Sequence, residues 1–598
     1  MDLLAQVLIN GMLLGGLYAV MALGRALVWG VLNIVNLAHG AFIMLGGYVS
    51  WYLYTYAGID PFLGLPLTAV VMFAVGYGVQ RGLLNLIVRA PMFSTLLVTF
   101  GIEVVITYLA QLAFSADFRT INPSSAGNSI AFGAVVLPVS RLFAFGIAIV
   151  LTVGMWLFLL RTRLGRAIRA TAQNLVAARL YGVDPRHLYA MTFGIGVALA
   201  GAAGGLYGTV SQINPYIGAA LTAKCFVISI IGGLDNPLGV IVGGLFLGVL
   251  ESLTALDLLR RGKLRRAGVG ANRASQRSIG EGGMKTARTM LLLAALAVLA
   301  AVPWFGSDVL IQFGINALLL AVLAQSWNVI GGYAGYASFG NSVFYGLGSY
   351  GVAIAMAQWQ LPFWVGLLFG AALAVVFAVL IGMPVLRLRG HYFAMATLAL
   401  AQVMAAIVSN VKLAGRNVGL VLPPLNNDPL FYELSLLLLV LATLTVYWLT
   451  RSRFGFGLIA IRENEEGAAV MGVNTTLYKT VAFAISGVFS ALAGGIHAYW
   501  VTFIDPESAF DIGLNVKMII MAVFGGPGTV FGPVVGVLSL SAVSELLSSE
   551  ITSFAGLFFG VVVVVAVVLM PRGLADVLRR FRGTGWRYFG ENIRSHQL

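Results

Sequence analysis

Cysteine is almost missing: Cys225 is the single one in 598 residues. One chain of this kind can build neither a disulfide framework nor a cysteine metal site. Charge is also scarce. Only 10% of residues are Asp, Glu, Lys or Arg, where a soluble domain carries about 25%. No Gly-x-x-x-x-Gly-Lys-Ser/Thr phosphate loop is present, because the one Gly-Lys pair, Gly262-Lys263, runs into Leu264. ATP hydrolysis by that device is excluded, so any ATP chemistry belongs to another subunit. The five histidines, His39, His187, His391, His497 and His596, show no paired metal spacing. No nucleophile sits beside a base, and no His-Glu-x-x-His occurs. These absences argue against an enzyme, and no metal or cofactor is expected. Met1-Asp2 offers no basic leader, so no cleavable signal peptide is expected.

What is present is apolar residue, 59% of the chain. One soluble core could not hide that much, whereas a bilayer accommodates it. The net charge of +14 could suggest nucleic acid, so its placement decides. Lys and Arg cluster between apolar runs, at Arg161 to Arg169, Arg387 and Arg389, Arg451 and Arg453, and Arg572 to Arg582. Cytoplasmic loops of membrane proteins carry this bias, and no basic face interleaved with aromatics appears. No nucleic-acid partner is expected; the lipid bilayer is.

A spanning helix needs about 20 apolar residues. Such runs lie near 5–27, 31–54, 61–83, 93–114, 141–160, 189–210, 218–233 and 238–256. They recur near 289–305, 308–330, 334–357, 362–385, 391–411, 432–450, 479–500, 513–524, 530–547 and 552–570. The pieces 218–233, 513–524 and 530–547 are short and read as broken or re-entrant, which is tolerated where protein surrounds them. The expectation is an all-α integral membrane protein with about 17–18 transmembrane or re-entrant helices in two homologous halves. Most of the 73 glycines then serve close helix packing.

The two halves show as an internal repeat. Arg161-Thr162-Arg163-Leu164-Gly165 recurs as Arg451-Ser452-Arg453-Phe454-Gly455, 290 residues further on. At the same offset Asn174 matches Asn464, Ala178 matches Ala468, and Gly182-Val183 matches Gly472-Val473. Gly204-Gly205 answers Gly494-Gly495, Lys224 answers Lys517, and Gly47-Tyr48 answers Ser349-Tyr350. The expected domains are a first membrane half at 1–256, a linker at 257–288, a second half at 289–582 and a cytoplasmic tail at 583–598. The linker carries nine Lys or Arg.

The repeated loops 161–188 and 451–478 are basic at their starts and so face the cytoplasm. Each then turns moderately helical on a polar background. A short helix outside the membrane can dock in a groove of a soluble partner, and two copies imply a paired partner. The alternative is a basic inside loop with no partner. Glu103, Lys224 and Lys517 lie within apolar runs. Ionisable groups at that depth either mark a pathway or pair inside the bundle.

Several segments carry a specific likeness: Val31-Leu32-Asn33-Ile34-Val35-Asn36-Leu37-Ala38-His39-Gly40, Met44-Leu45-Gly46-Gly47-Tyr48, Pro384-Val385-Leu386-Arg387-Leu388-Arg389-Gly390 and Arg462-Glu463-Asn464. Together they resemble the permeases of bacterial high-affinity branched-chain amino acid ABC importers. In that family two different permeases pair, and this chain looks like both joined head to tail. The resemblance implies a multi-pass protein of the bacterial inner membrane. It implies that the two loops are coupling segments, marked by Arg163, Gly165, Asn174, Ala178 and Gly182 and by Arg453, Gly455, Asn464, Ala468 and Gly472. Two ABC ATPase subunits would dock there, and a periplasmic substrate-binding protein would deliver the small-molecule substrate. Substrates of the family include Leu, Ile and Val, with urea and short amides among relatives. Where the second half commonly has His opposite His39, this chain has Asn341.

The expected mechanism is alternating access, with the coupling loops transmitting the closure of the ATPases. His39, Tyr48, Asn341 and Tyr350 are the candidate lining of the path. The rivals are an ion-coupled secondary transporter, which also has repeats and broken helices, and a passive amide or urea channel. One irregularity stands out at the seam. With both loops inside, counting spans back from 451 places 259–288 inside, and counting forward from 188 places it outside. The first half is therefore expected to have lost a terminal span like 552–570; a natural deletion, a frameshifted reading of the gene or a re-entrant 218–256 would each account for the count.

Overall fold

The computed structural model describes residues 2–32, 34–88, 92–123, 128–132, 135–233, 237–260, 299–388, 390–425, 427–550 and 555–569. The expected tail, most of the linker and the start of the span near 289 lie outside these residues. Among the described residues, eleven helices are long and apolar enough to cross a membrane, and four shorter apolar helices accompany them. The all-α expectation holds, with two small two-stranded ribbons added.

The chain divides into two compact units, one of Met1–Gly262 with Val543–Leu598, the other of Lys263–Ala542. The first unit holds α1 (Asp2–Leu32), α2 (His39–Ala57), α3 (Pro61–Gly82) and α4 (Met92–Phe114). A hairpin follows, β1 (Ser129–Phe132) with β2 (Val135–Pro138), then α5 (Val139–Arg161). Two short helices, α6 (Arg163–Gln173) and α7 (Leu175–Leu180), lead into α8 (Pro185–Val210), α9 (Ile217–Gly232) and α10 (Pro237–Arg260). Helix α8 is the hub, packed on α1, α2, α3 and α5. Its small residues explain this. A Cβ at Gly204 would overlap the Ile43 carbonyl, and one at Gly201 would overlap Met72. In lipid the tails are as apolar as the side chains, so close packing rather than hydrophobic transfer holds such helices together.

The second unit holds α11 (Asp308–Trp327), α12 (Asn341–Ala357), α13 (Phe363–Leu380), α14 (Gly390–Asn410) and α15 (Asp428–Leu449). Then come α16 (Arg453–Glu463), α17 (Glu465–Val470), α18 (Thr475–Val501), α19 (Ile512–Gly525) and the first part of α20 (Gly532–Glu550). Helix α18 repeats the hub role against α11, α12 and α13. The ribbon of β3 (Leu420–Val421) and β4 (Phe503–Ile504) is too short to be announced by alternation.

The last described helix, α21 (Ala555–Leu569), belongs to the first unit and packs along α4. A Cβ on Gly556 would run into the Tyr108 ring, one on Gly560 would press Val104 and Val105, and one on Gly101 would meet Val564. The seam count predicts a first half short of a terminal helix. In the first unit a helix from the C-terminal end of the chain lies on α4.

The sequence predicts helices from about 31 and 334 on apolar length alone. The structure starts both later, at His39 and at Asn341. Residues 34–38 and 334–340 are not α-helical, and the second stretch follows a π-helical turn, Asn328–Tyr333. Irregular backbone at membrane depth must find its partners inside the protein. In the first unit Thr99 Oγ1 accepts from Leu37 N–H (3.2 Å) and donates to Val35 O (2.9 Å). Thr222 Oγ1 accepts from Gly40 N–H (2.8 Å) and donates to Leu37 O (3.1 Å). In the second unit Thr397 Oγ1 accepts from Phe339 N–H (3.0 Å), Asn515 Oδ1 accepts from Ser342 N–H (2.8 Å), and Trp327 Nε1 donates to Ser338 O (2.9 Å). Both units break the same helix entry and repair it by the same means.

Candidate functional site

The two loops fold alike, and the repeated residues are what shapes them. Thr162 caps α6 by accepting from Gly165 N–H at 2.9 Å, and Ser452 caps α16 by accepting from Gly455 N–H at 3.0 Å. Both glycines are buried against the preceding span. A Cβ there would overlap Phe158 and Leu159 in one loop and Leu449 in the other. Asn174 Oδ1 caps α7 through Ala177 N–H (3.0 Å), and Asn464 Oδ1 caps α17 through Gly467 N–H (2.9 Å). Such caps satisfy amides that a helix start leaves without partners.

The ends match too. Val183 N–H donates to Ala178 O and Gly182 N–H to Arg179 O. Val473 N–H donates to Ala468 O and Gly472 N–H to Ala469 O. This double bond pattern needs a left-handed residue after the helix. Gly182 and Gly472 supply it, at φ 82° and 86°. Ala178 and Ala468 are buried beneath the turn, while Arg163 and Arg453 are exposed at the first turns of α6 and α16. All ten predicted loop residues thus fall on corresponding places in one helix-turn-helix shape.

Sequence reasoning missed the tips. Leu180 and Tyr181 are 84% and 91% exposed, and Val470 and Met471 are 87% and 84% exposed. They precede the two turn glycines and correspond at the same offset of 290. Each tip is thus an exposed apolar pair outside the helices long enough to cross a membrane. The signal available was the apolar pair before each Gly-Val.

The four path candidates sit on equivalent helices. His39 opens α2, and its Nε2 donates to Met21 O at 2.8 Å, since a carbonyl only accepts. Asn341 opens α12, with Nδ2 within 3.0–3.2 Å of Ser326, Ser486 and Ser490. Tyr48 stacks on Phe114 at 4.4 Å, and Tyr350 stacks on Phe510 at 6.1 Å. Each of the four keeps one buried polar atom with no hydrogen-bond partner among the described residues: His39 Nδ1, Tyr48 OH, Asn341 Oδ1 and Tyr350 OH. They share this with other buried polar atoms of the described residues, among them Asn36 Nδ2, Ser50 Oγ, Tyr333 OH and His497 Nδ1. The pairs do not form one cluster. Nine residues of helix separate each Tyr from its His or Asn by about 13.5 Å and half a turn.

The intramembrane ionisable residues divide. Lys224 Nζ donates to Tyr18 OH (2.7 Å) and to Glu251 (2.8 Å), so it is paired, in a contact that stays partly exposed. Lys517 is exposed on α19, and Glu103 is half-buried on α4. No group of three His, Cys, Asp or Glu that could hold a metal occurs among the described residues.

Comparison with known proteins gives a consistent answer. The family described as "Branched-chain amino acid transport system / permease component" matches residues 7–261 and again 309–567. The chain is 30% identical over 263 residues to the high-affinity branched-chain amino acid transport system permease protein BraD of Pseudomonas aeruginosa, covering 42% of this chain and 86% of that one. It is 30% identical over 267 residues to LivH of Escherichia coli K12, with the same coverages. LivM of that organism is 28% identical over 327 residues, covering 49% of this chain and 76% of LivM. The chain carries two copies of one permease domain.

Proposed function

The chain belongs to the family of branched-chain amino acid transport permeases, and from that premise we propose that it is the fused permease pair of an ATP-driven importer. It takes up branched-chain or related amino acids across the bacterial inner membrane as a multi-pass transport subunit. Two separate ABC ATPases supply the energy at the loops 161–188 and 451–478. A periplasmic binding protein delivers the substrate to the opposite face. Urea and short amides stay within the substrate range of this reading.

The observation that carries it is the duplicated, capped loop with an exposed apolar tip. A secondary transporter also has repeats and broken entries, but it has no use for two matching cytoplasmic tips. The halves need no second permease chain, because both domains are already here. His39, Tyr48, Asn341 and Tyr350 remain the proposed path lining, supported by their matching places on α2 and α12. Gly165, Asn174, Ala178 and Gly182, with Gly455, Asn464, Ala468 and Gly472, shape the docking loops, and Arg163 and Arg453 stand exposed on them.

The test is to solubilise the chain from its native membrane in detergent, capture it and identify what comes with it. Recovery of ATPases bearing phosphate loops supports the reading. Clean recovery of the chain alone, with leucine uptake that collapses under a protonophore, contradicts it.

A further inference from the structure

The second loop is fastened to the broken helix entry by a buried charged triangle that the first loop lacks. Lys479, on α18, is 4% exposed at its side chain, and Glu465, the first residue of α17, is 15% exposed. Lys479 Nζ donates to Glu465 Oε1 (2.6 Å), to Tyr336 OH (3.0 Å) and to Leu386 O (2.9 Å). An ammonium has three donors, and all three are used. Tyr336 OH donates in turn to Glu465 Oε2 at 2.5 Å. The ammonium also lies 4.8 Å from the centre of the Tyr336 ring. A pair this buried holds its geometry, because either partner left alone would be an uncompensated charge.

Tyr336 lies in the irregular stretch between α11 and α12, five residues before Asn341. A second tie runs alongside: Arg462 Nη1, at the end of α16, donates to Gly332 O at 3.0 Å. Beyond Gly332 the fastening continues, with Asn328 Nδ2 donating to Thr529 O (2.9 Å) and Gly528 N–H to Asn328 Oδ1 (2.8 Å). In the first half, 290 residues earlier, Glu465 is replaced by Leu175, Lys479 by Tyr189 and Arg462 by Ala172. None of these three can carry such a charge-paired tie.

We propose that Glu465, Lys479 and Tyr336 are positioning residues that transmit movement of the second loop to the entry of α12, and that the two loops are therefore unequal in coupling. A displaced α17 drags Glu465. The triangle passes the pull to Tyr336, and the short stretch 337–340 passes it to Asn341. The first loop, with Leu175, Tyr189 and Ala172 at these places, lacks this lever. The proposal rests on the coupling-loop reading above.

The experiment uses the whole assembly, the chain with its captured ATPases and binding protein in proteoliposomes. It measures labelled leucine, isoleucine and valine imported per ATP hydrolysed. Glu465→Leu with Lys479→Met replaces the ion pair by apolar groups of similar volume and strands no charge, as a single change would. The expected result is ATPase capture as in the unaltered chain, with import per ATP down about tenfold. Lys479→Arg, which keeps the charge, restores part of the ratio. Capture of the ATPases with an unchanged ratio in the double variant overturns the lever alone. Failure of the unaltered chain to capture any ATPase overturns the coupling-loop reading and the lever with it.

Discussion

Tyr181 and Met471 are where a single side chain decides most. Both are exposed tips that no contact within their own unit requires. Tyr181→Asp or Met471→Asp should therefore leave the amount of folded chain unchanged and lower ATPase capture by about tenfold, since interface anchors commonly contribute more than 1 kcal/mol. Quantitative pull-down against a size-exclusion profile checks this, and equal loss of folded chain would make the tips structural. Gly472 is the opposite case. At φ 86°, Gly472→Val forces a branched side chain into the left-handed region at about 1–2 kcal/mol, read as a lower melting temperature of the solubilised chain. For the path, His39→Ala and Asn341→Ala should each lower transport with the folded amount preserved; unchanged transport removes them from the path. Asn174, Ala178, Gly182 and their counterparts were legible as repeated positions, because they recur at one offset of 290 residues; the caps and left-handed turns they form were not read there. The Lys479–Glu465–Tyr336 triangle was not, because 143 residues separate Lys479 from Tyr336 and no local rule links them.

At the scale of elements, helix packing rather than hydropathy governs what can be changed. Gly560 of α21 lies within 3.0–3.1 Å of α4 once a Cβ is added, whereas Gly154 of α5 has nothing within 4 Å. Gly560→Leu is expected to lower the melting temperature in detergent by several degrees, as close small-residue contacts are lost. Gly154→Leu is expected to leave it unchanged. Equal effects would mean that α21 does not depend on this contact. The spans were readable from apolar length, including the short pieces that became α9 and α19. The late starts of α2 and α12 were not. Apolar runs say nothing about which backbone amides are answered by Thr99, Thr222, Thr397 or Asn515 from helices far along the chain. The hairpin β1–β2 was missed for a related reason. Its pairing is completed by Gln6, whose Nε2 donates to Val136 O (2.8 Å) and whose Oε1 accepts from Val136 N–H (2.7 Å).

At the scale of the whole molecule, the repeat at 290 residues was the most legible feature, and the family match falls on both copies. Two permease domains in one chain, each with a loop of the same helix-turn-helix shape, go with the proposal that ATP is the energy source, although the chain holds no phosphate loop. The most direct measurement is uptake of labelled leucine, isoleucine and valine into proteoliposomes holding the chain, its captured ATPases and the binding protein. Import that needs ATP and survives a protonophore is the predicted result. Import that proceeds without ATP and collapses with the proton gradient would contradict the account.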